Sequence, residues 1–191
     1  AQSPHFVRSF VSEMFHLPLT SVEVNVSYIG GGFGGKSDVI LEPLVCAISK
    51  HVKGYPVRLI LEREEMFFGS FIGRGAKVRL KTGFSKDGKL TAGKIDVAWA
   101  VGAYADFGIN VVDGGGHNST GPYEFKNLNI DACACYTNTP LIGAFRGYGH
   151  PEVHFAMERQ FDIASRKLNI DPVELRLRNI LRPGSYNAFM Q

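Results

Sequence analysis

The sequence predicts an α+β fold in which mixed sheets pack against helices. Three observations carry that expectation. Apolar residues recur at helical spacing in Phe6, Val7, Phe10, Val11, Met14 and Phe15, and again in Val153, Met157, Phe161, Ala164 and Leu168. Other stretches alternate with period two, as strands do. An Asp-Gly turn between two such runs, Lys86-Asp87-Gly88-Lys89, requires at least one antiparallel hairpin.

In chain order, Ser3 and Pro4 read as an N-cap and a first-turn proline, opening a helix that Leu17-Pro18 ends. Ser21 to Ile29 alternates, with Val22, Val24, Val26 and Tyr28 on one face, and predicts a half-buried strand. After the glycines that follow, Ser37 to Leu41 reads as extended. Glu42-Pro43 starts a helix that turns Leu44, Val45, Ile48 and Val52 inward and stops at Gly54. Pro56 introduces a short strand, Val57 to Leu61. The acidic run Glu62-Arg63-Glu64-Glu65 then reads as a solvated strand end rather than an acid/base site.

Val78, Leu80, Thr82 and Phe84 form the outgoing arm of the hairpin, and the return arm runs from Leu90 past Trp99. Leu90 and Ala92 share one parity while Ile95, Val97 and Trp99 share the other, so a bulge is expected near Gly93. Gly102 to Tyr123 is glycine-rich and aperiodic. It reads as a long loop, either functional or covered by other parts of the protein, with His117 a loop histidine. Leu128 to Tyr136 is a further strand. Cys133 and Cys135 lie two apart on one of its faces and read as buried small apolar residues. Pro151 starts a long helix. Asp171-Pro172-Val173-Glu174 caps another, which closes at Arg182-Pro183-Gly184.

Composition bounds the function. A chain of 191 residues that is 45% hydrophobic can build a core. Its net charge of +3 comes from dispersed Lys and Arg, which gives no footing for nucleic acid or an anionic membrane. No apolar run approaches the roughly 20 residues a bilayer requires. Three cysteines, Cys46, Cys133 and Cys135, match neither a disulfide framework nor a zinc site and suggest a reducing, cytoplasmic setting. The opening Ala1-Gln2, without Met, reads as part of a longer polypeptide.

Two glycine-bounded stretches carry the chemistry. Gly30-Gly31-Gly32-Phe33-Gly34-Gly35-Lys36 places five glycines in seven residues, as where backbone must take φ > 0 or let a ligand approach its N–H groups. Phe33 is the side chain there able to wall a pocket. The same residues satisfy the P-loop pattern through Gly35-Lys36-Ser37, a rival reading that needs a helix to begin at the Lys-Ser step. The second stretch, Gly143-Ala144-Phe145-Arg146-Gly147-Tyr148-Gly149, feeds a helix N-terminus. That end favours anions, Arg146 adds a forked donor, and Tyr148 offers an aromatic plate for a flat substrate. On the residues alone, a core tyrosine and a paired arginine are equally good readings.

These two stretches, in this order and followed by Asp171-Pro172-Val173-Glu174-Leu175-Arg176 and Asn179, resemble the molybdenum-binding subunit of the xanthine dehydrogenase and aldehyde oxidase family. The resemblance covers essentially the whole chain, as one internal portion of a longer subunit. It implies two related α/β subdomains of the molybdenum-cofactor-binding type, drawn here as 1–75 and 76–191. It also implies that Gly32, Phe33, Gly34 and Gly35 border the cofactor on one side and Ala144, Phe145 and Arg146 on the other, with Ser37 and Tyr148 facing substrate. The metal would be held by the pterin dithiolene, so no protein metal ligand is expected. The reaction implied is hydroxylation of an aldehyde or N-heteroaromatic with water as oxygen source, the electrons leaving through 2Fe-2S clusters to FAD on partner domains or subunits.

Departures refine the expectation. Purine-oxidising relatives carry glutamate where this chain has Ser37, and carbon monoxide dehydrogenases carry a copper-bound cysteine where it has Gly147. The family's activating glutamate lies beyond Gln191. The fragment alone is therefore expected to hold no catalytic residue and to be inactive without the remainder of its subunit. Whether the pterin is molybdopterin or its cytosine dinucleotide stays open, the fragment can be apo, and self-association through uncovered surface is expected.

Overall fold

The computed structural model describes residues 1–185. Gln191 and the five residues before it lie outside that range, and the predicted helix closure at Arg182-Pro183-Gly184 lies just inside it. Helix α1 spans Pro4–Phe15 and α2 spans Glu42–His51, both with proline in the first turn. Helix α3 is Arg63–Gly69, β1 is Ala76–Phe84 and β2 is Leu90–Gly102. Then follow α4, Gly108–His117, β3, Leu128–Tyr136, α5, His150–Leu168, and α6, Pro172–Asn179. The sheet order is β1-β2-β3, with β1 antiparallel and β3 parallel to β2, so the sheet is mixed as expected.

The hairpin follows from its alternation. Ile95, Val97, Trp99 and Val101 of β2 are all buried on the helix-covered face. The parity change is real but falls earlier than Gly93: Gly83 pairs with Ala92 and Phe84 with Leu90, which leaves Thr91 as the extra residue. Helix α5 joins two parts of the core. Val153 packs with Trp99, Val97 and Val101, while Met157, Phe161 and Ala164 pack with Leu90, Ile95, Tyr123 and Leu175. Phe161 stacks on Tyr123 at 3.9 Å and meets Phe84 edge-on at 5.4 Å. Burying such a ring contributes about 1.5–3 kcal/mol.

Several expectations are corrected. Residues 22–29 and 57–61 form no strand, and Val26, Tyr28, Ile29 and Ile60 are exposed: an alternating run without a neighbouring strand has no ladder to join. Residues 37–41 are turns and bends, not extended chain. Leu44 and Ile48 of α2, and Val52 just after it, are exposed, so this apolar stripe is not turned into the described core. The acidic run is no strand end but the start of α3. Glu62 accepts from the Glu65 backbone and the Glu65 carboxylate accepts from the Glu62 N–H at 2.7 Å, a reciprocal capping box.

Within 102–123 the aperiodic stretch contains α4, with Gly114, Gly115 and Gly116 inside the helix. Close packing accounts for this composition. A Cβ on Gly115 would come within 2.7 Å of the Trp99 ring and 3.0 Å of the Gly149 carbonyl oxygen, so only glycine lets the helix lie so near. His117 ends that helix rather than standing in a loop, its Nδ1 lying 3.2 Å from an Asp113 carboxylate oxygen. Cys133 and Cys135 are exposed rather than buried, their sulfurs 4.0 Å apart on the face of β3 away from the helices.

Candidate functional site

The two glycine-bounded stretches meet. In the first, Gly30, Gly31, Phe33 and Gly34 all have positive φ, at 65°, 117°, 52° and 90°. The loop is tied by the Lys36 ammonium donating to the Ile29 carbonyl at 2.7 Å and by the Ser37 hydroxyl donating to the Gly34 carbonyl at 2.6 Å. In the second, Gly147, Tyr148 and Gly149 are also left-handed, which turns the chain into the N-terminus of α5. A Cβ on Gly34 would lie 2.6 Å from the Ala144 oxygen and 3.0 Å from the Phe145 nitrogen, so backbone touches backbone here. The Arg146 guanidinium lies over the exposed Phe33 ring at 4.9 Å from its centroid. Such a contact is worth about 0.5–1 kcal/mol at an exposed site.

This geometry excludes the P-loop. The Ser37 N–H and hydroxyl both go to Gly34 O, and the next helix begins at Glu42, so no helix N-terminus stands at Lys36-Ser37. A cavity of about 320 Å³ beside the loop is lined by Gly35, Lys36, Asp38, Leu61 and Met66 among others. Neither Phe33 nor Arg146 lines it. Among the described residues no cluster of His, Cys, Asp or Glu could hold a metal ion.

Tyr148 is half-buried, its ring 3.3 Å from the position of a Cβ on Gly114. Burial pushes its phenol above the ordinary value; Asp106 adds to that rise and Arg74 opposes it. Asp38, just past the loop, is buried, with one oxygen accepting the Val39 N–H at 2.8 Å and the other without a hydrogen-bond partner among the described residues. Burial, Asp106 and Glu42 together raise its carboxyl to about 6.

Two participants escaped sequence reasoning. Gln2 donates its N–H to the Lys36 carbonyl at 2.6 Å, and its side-chain oxygen accepts the Gly34 N–H at 3.2 Å. Arg74 donates from Nη2 to the carbonyls of Gly143 at 3.1 Å and Phe145 at 3.4 Å. Neither residue lies in a motif, and both act on loops more than thirty positions away.

Residues 1–180 match the family model described as the molybdopterin cofactor-binding domain. The chain belongs to that family. Molybdopterin cofactor-binding domains similar to it include part of the xanthine dehydrogenase molybdenum-binding subunit of Escherichia coli O157:H7, 38% identical over 97% of this chain and 25% of that protein. The nicotinate dehydrogenase large molybdopterin subunit of Eubacterium barkeri is 35% identical over 96% of this chain and 43% of its own length. Among solved structures, the aldehyde oxidoreductase of Desulfovibrio gigas aligns over 99% of this chain and 21% of its own, with a TM-score of 0.91 and 28% identity. Quinoline 2-oxidoreductase of Pseudomonas putida 86 aligns over 100% of this chain and 25% of its own, with a TM-score of 0.88 and 31% identity. The chain thus spans a quarter to less than half of the curated relatives named here.

The residues present fit a pterin-held metal. The Gly34 N–H is directed at an acceptor oxygen, supplied by Gln2, and the left-handed glycines leave backbone open to close approach.

Proposed function

We propose that this domain is the part of a molybdenum hydroxylase that walls its cofactor on two sides, with an aldehyde or N-heteroaromatic compound as substrate. The observation that carries the reading is the meeting of Phe33 with Arg146 and of Gly34 with Ala144, two backbone bends far apart in sequence. Gly32, Phe33, Gly34 and Gly35 line one wall, and Ala144, Phe145 and Arg146 the other. When bound, the molybdenum centre supplies oxygen transfer from water and accepts two electrons. The chain's own part is positioning, a fixed cation at Arg146 and exclusion of water by Phe33.

Tyr148 provides the plate against which a flat substrate stacks, and burial raises its phenol further above the ordinary tyrosine value. Ser37 is the substrate-side residue nearest the loop, but its hydroxyl is committed to Gly34 O, so a purine finds no carboxylate there. Gly147 offers no thiol for copper. Iron–sulfur and FAD groups reside on partner domains or subunits, and the setting is cytoplasmic; no helix among the described residues is long and apolar enough to cross a membrane. The division near residue 75 would place the site between two subdomains.

No carboxylate lies on either loop, so the 191-residue chain is inactive alone. The test is to purify both the full-length gene product and this chain from a molybdopterin-making host and assay each with an aromatic aldehyde and with quinoline or nicotinate in ¹⁸O-labelled water. Labelled product from the full-length protein and none from the short chain is expected. Activity of the short chain alone, or none from a molybdenum-loaded full-length protein on either class, contradicts the proposal.

A further inference from the structure

Arg74 lies between α3 and β1, flanked by Gly73 and Gly75, where the Gly75 carbonyl accepts the Ala100 N–H at 2.9 Å. Its Nη2 reaches 69 and 71 positions along the chain to the two carbonyls that bracket Ala144. Ala144 is the residue whose backbone abuts Gly34. One guanidinium therefore grips the wall segment at the point where it touches the opposite loop.

The same guanidinium is poorly served otherwise. Its Nε and Nη1 are buried without a hydrogen-bond partner among the described residues, and Glu152, whose charge acts on it, makes no ion pair with it and has a buried unpartnered oxygen of its own. Buried charged groups are ordinarily paired, so two unpartnered guanidinium nitrogens are weak grounds for a role in stability alone. Arg74 is thus poorly explained as a stabilising residue, whereas its hold on the Gly143 and Phe145 carbonyls is specific.

We infer that Arg74 is a positioning residue that fixes the Ala144–Arg146 segment against Gly34 and so sets the spacing of the two walls. Its consequence for cofactor retention rests on the reading given under Proposed function. Its effect on the loop does not.

The experiment uses the full-length protein, with Arg74→Met and Arg74→Lys beside wild type, and follows amide hydrogen exchange together with molybdenum per chain. Arg74→Met is expected to speed exchange across residues 143–149 about tenfold or more, to leave the 76–102 hairpin unchanged and to lower molybdenum content. Arg74→Lys, which keeps a charged donor, is expected to restore part of both. Unaltered exchange at 143–149, or equal loosening of the hairpin, overturns the inference. Should Arg74→Met fail to fold, Arg74→Lys decides alone: local acceleration supports the inference and none overturns it. Wild-type protein without molybdenum would instead refute the functional reading, while the exchange comparison still judges Arg74.

Discussion

Gly34 and Asp38 offer the sharpest residue-level tests, because each is determined by a single physical constraint. Gly34 combines φ of 90° with backbone contact to Ala144, so Gly34→Ala forces a methyl into a gap 2.6 Å from an oxygen. A loss of about 1–3 kcal/mol is expected from the backbone conformation, with further loss as the walls separate. Urea unfolding reads it, and a midpoint equal to wild type would contradict it. Asp38 has a folded-state pKa near 6 against an unfolded value of 3.8, so the folded protein holds the extra proton between those values. Stability from this group is complete below about pH 4 and is lost as pH rises through 6. Asp38→Asn should therefore gain on the order of 1–2 kcal/mol over wild type at pH 7 and nothing at pH 4. A gain independent of pH would refute that account. Phe33 and Arg146 stood out in the sequence because glycines isolate them. Gln2 and Arg74 did not, since their importance arises from hydrogen bonds to distant backbone that no local pattern encodes.

Asn179 shows how one side chain couples elements. Its amide donates to the Gly88 and Leu175 carbonyls at 2.8 and 2.7 Å and accepts the Leu90 N–H at 2.7 Å, so α6 is fastened to the hairpin turn. Asn179→Ala would leave buried backbone groups unpaired and should cost about 2–3 kcal/mol; thermal unfolding measures it, and a change under 0.5 kcal/mol, about what a surface site gives, would contradict it. Elements whose residues satisfy one another locally were legible: α1, α2, the hairpin, β3, α5 and α6 came from spacing, caps and turn chemistry. The rest were hidden for identifiable reasons. Helix α3 was masked by acidic residues whose role is to cap it, and α4 by three glycines that tertiary contact with Trp99 and Gly149 requires. The 22–29 run has strand alternation but no strand beside it.

Across the molecule, apolar surface is unevenly covered. Phe6, Phe10 and Met14 of α1, Leu44 and Ile48 of α2, and Phe67 and Phe68 of α3 are all exposed, whereas β2 buries Ile95, Val97, Trp99 and Val101 and α5 buries Val153, Met157 and Phe161. The first part of the chain therefore presents a face that calls for cover, and the isolated 191-residue chain should self-associate at micromolar concentration in light scattering. A monomer that stays dispersed at those concentrations would contradict this. The mixed sheet and the α+β class were legible from the sequence. The burial of individual faces was not, because period alone shows that a stripe exists and not what lies against it.

The proposed function depends on two left-handed bends enclosing one cofactor. The most direct measurement is molybdenum and pterin content of the full-length gene product from a molybdopterin-making host, wild type beside Gly34→Ala. The account predicts near-stoichiometric molybdenum and pterin in the wild type and a clear deficit in the variant. A folded wild type without either, or a variant that carries the same load, would contradict it.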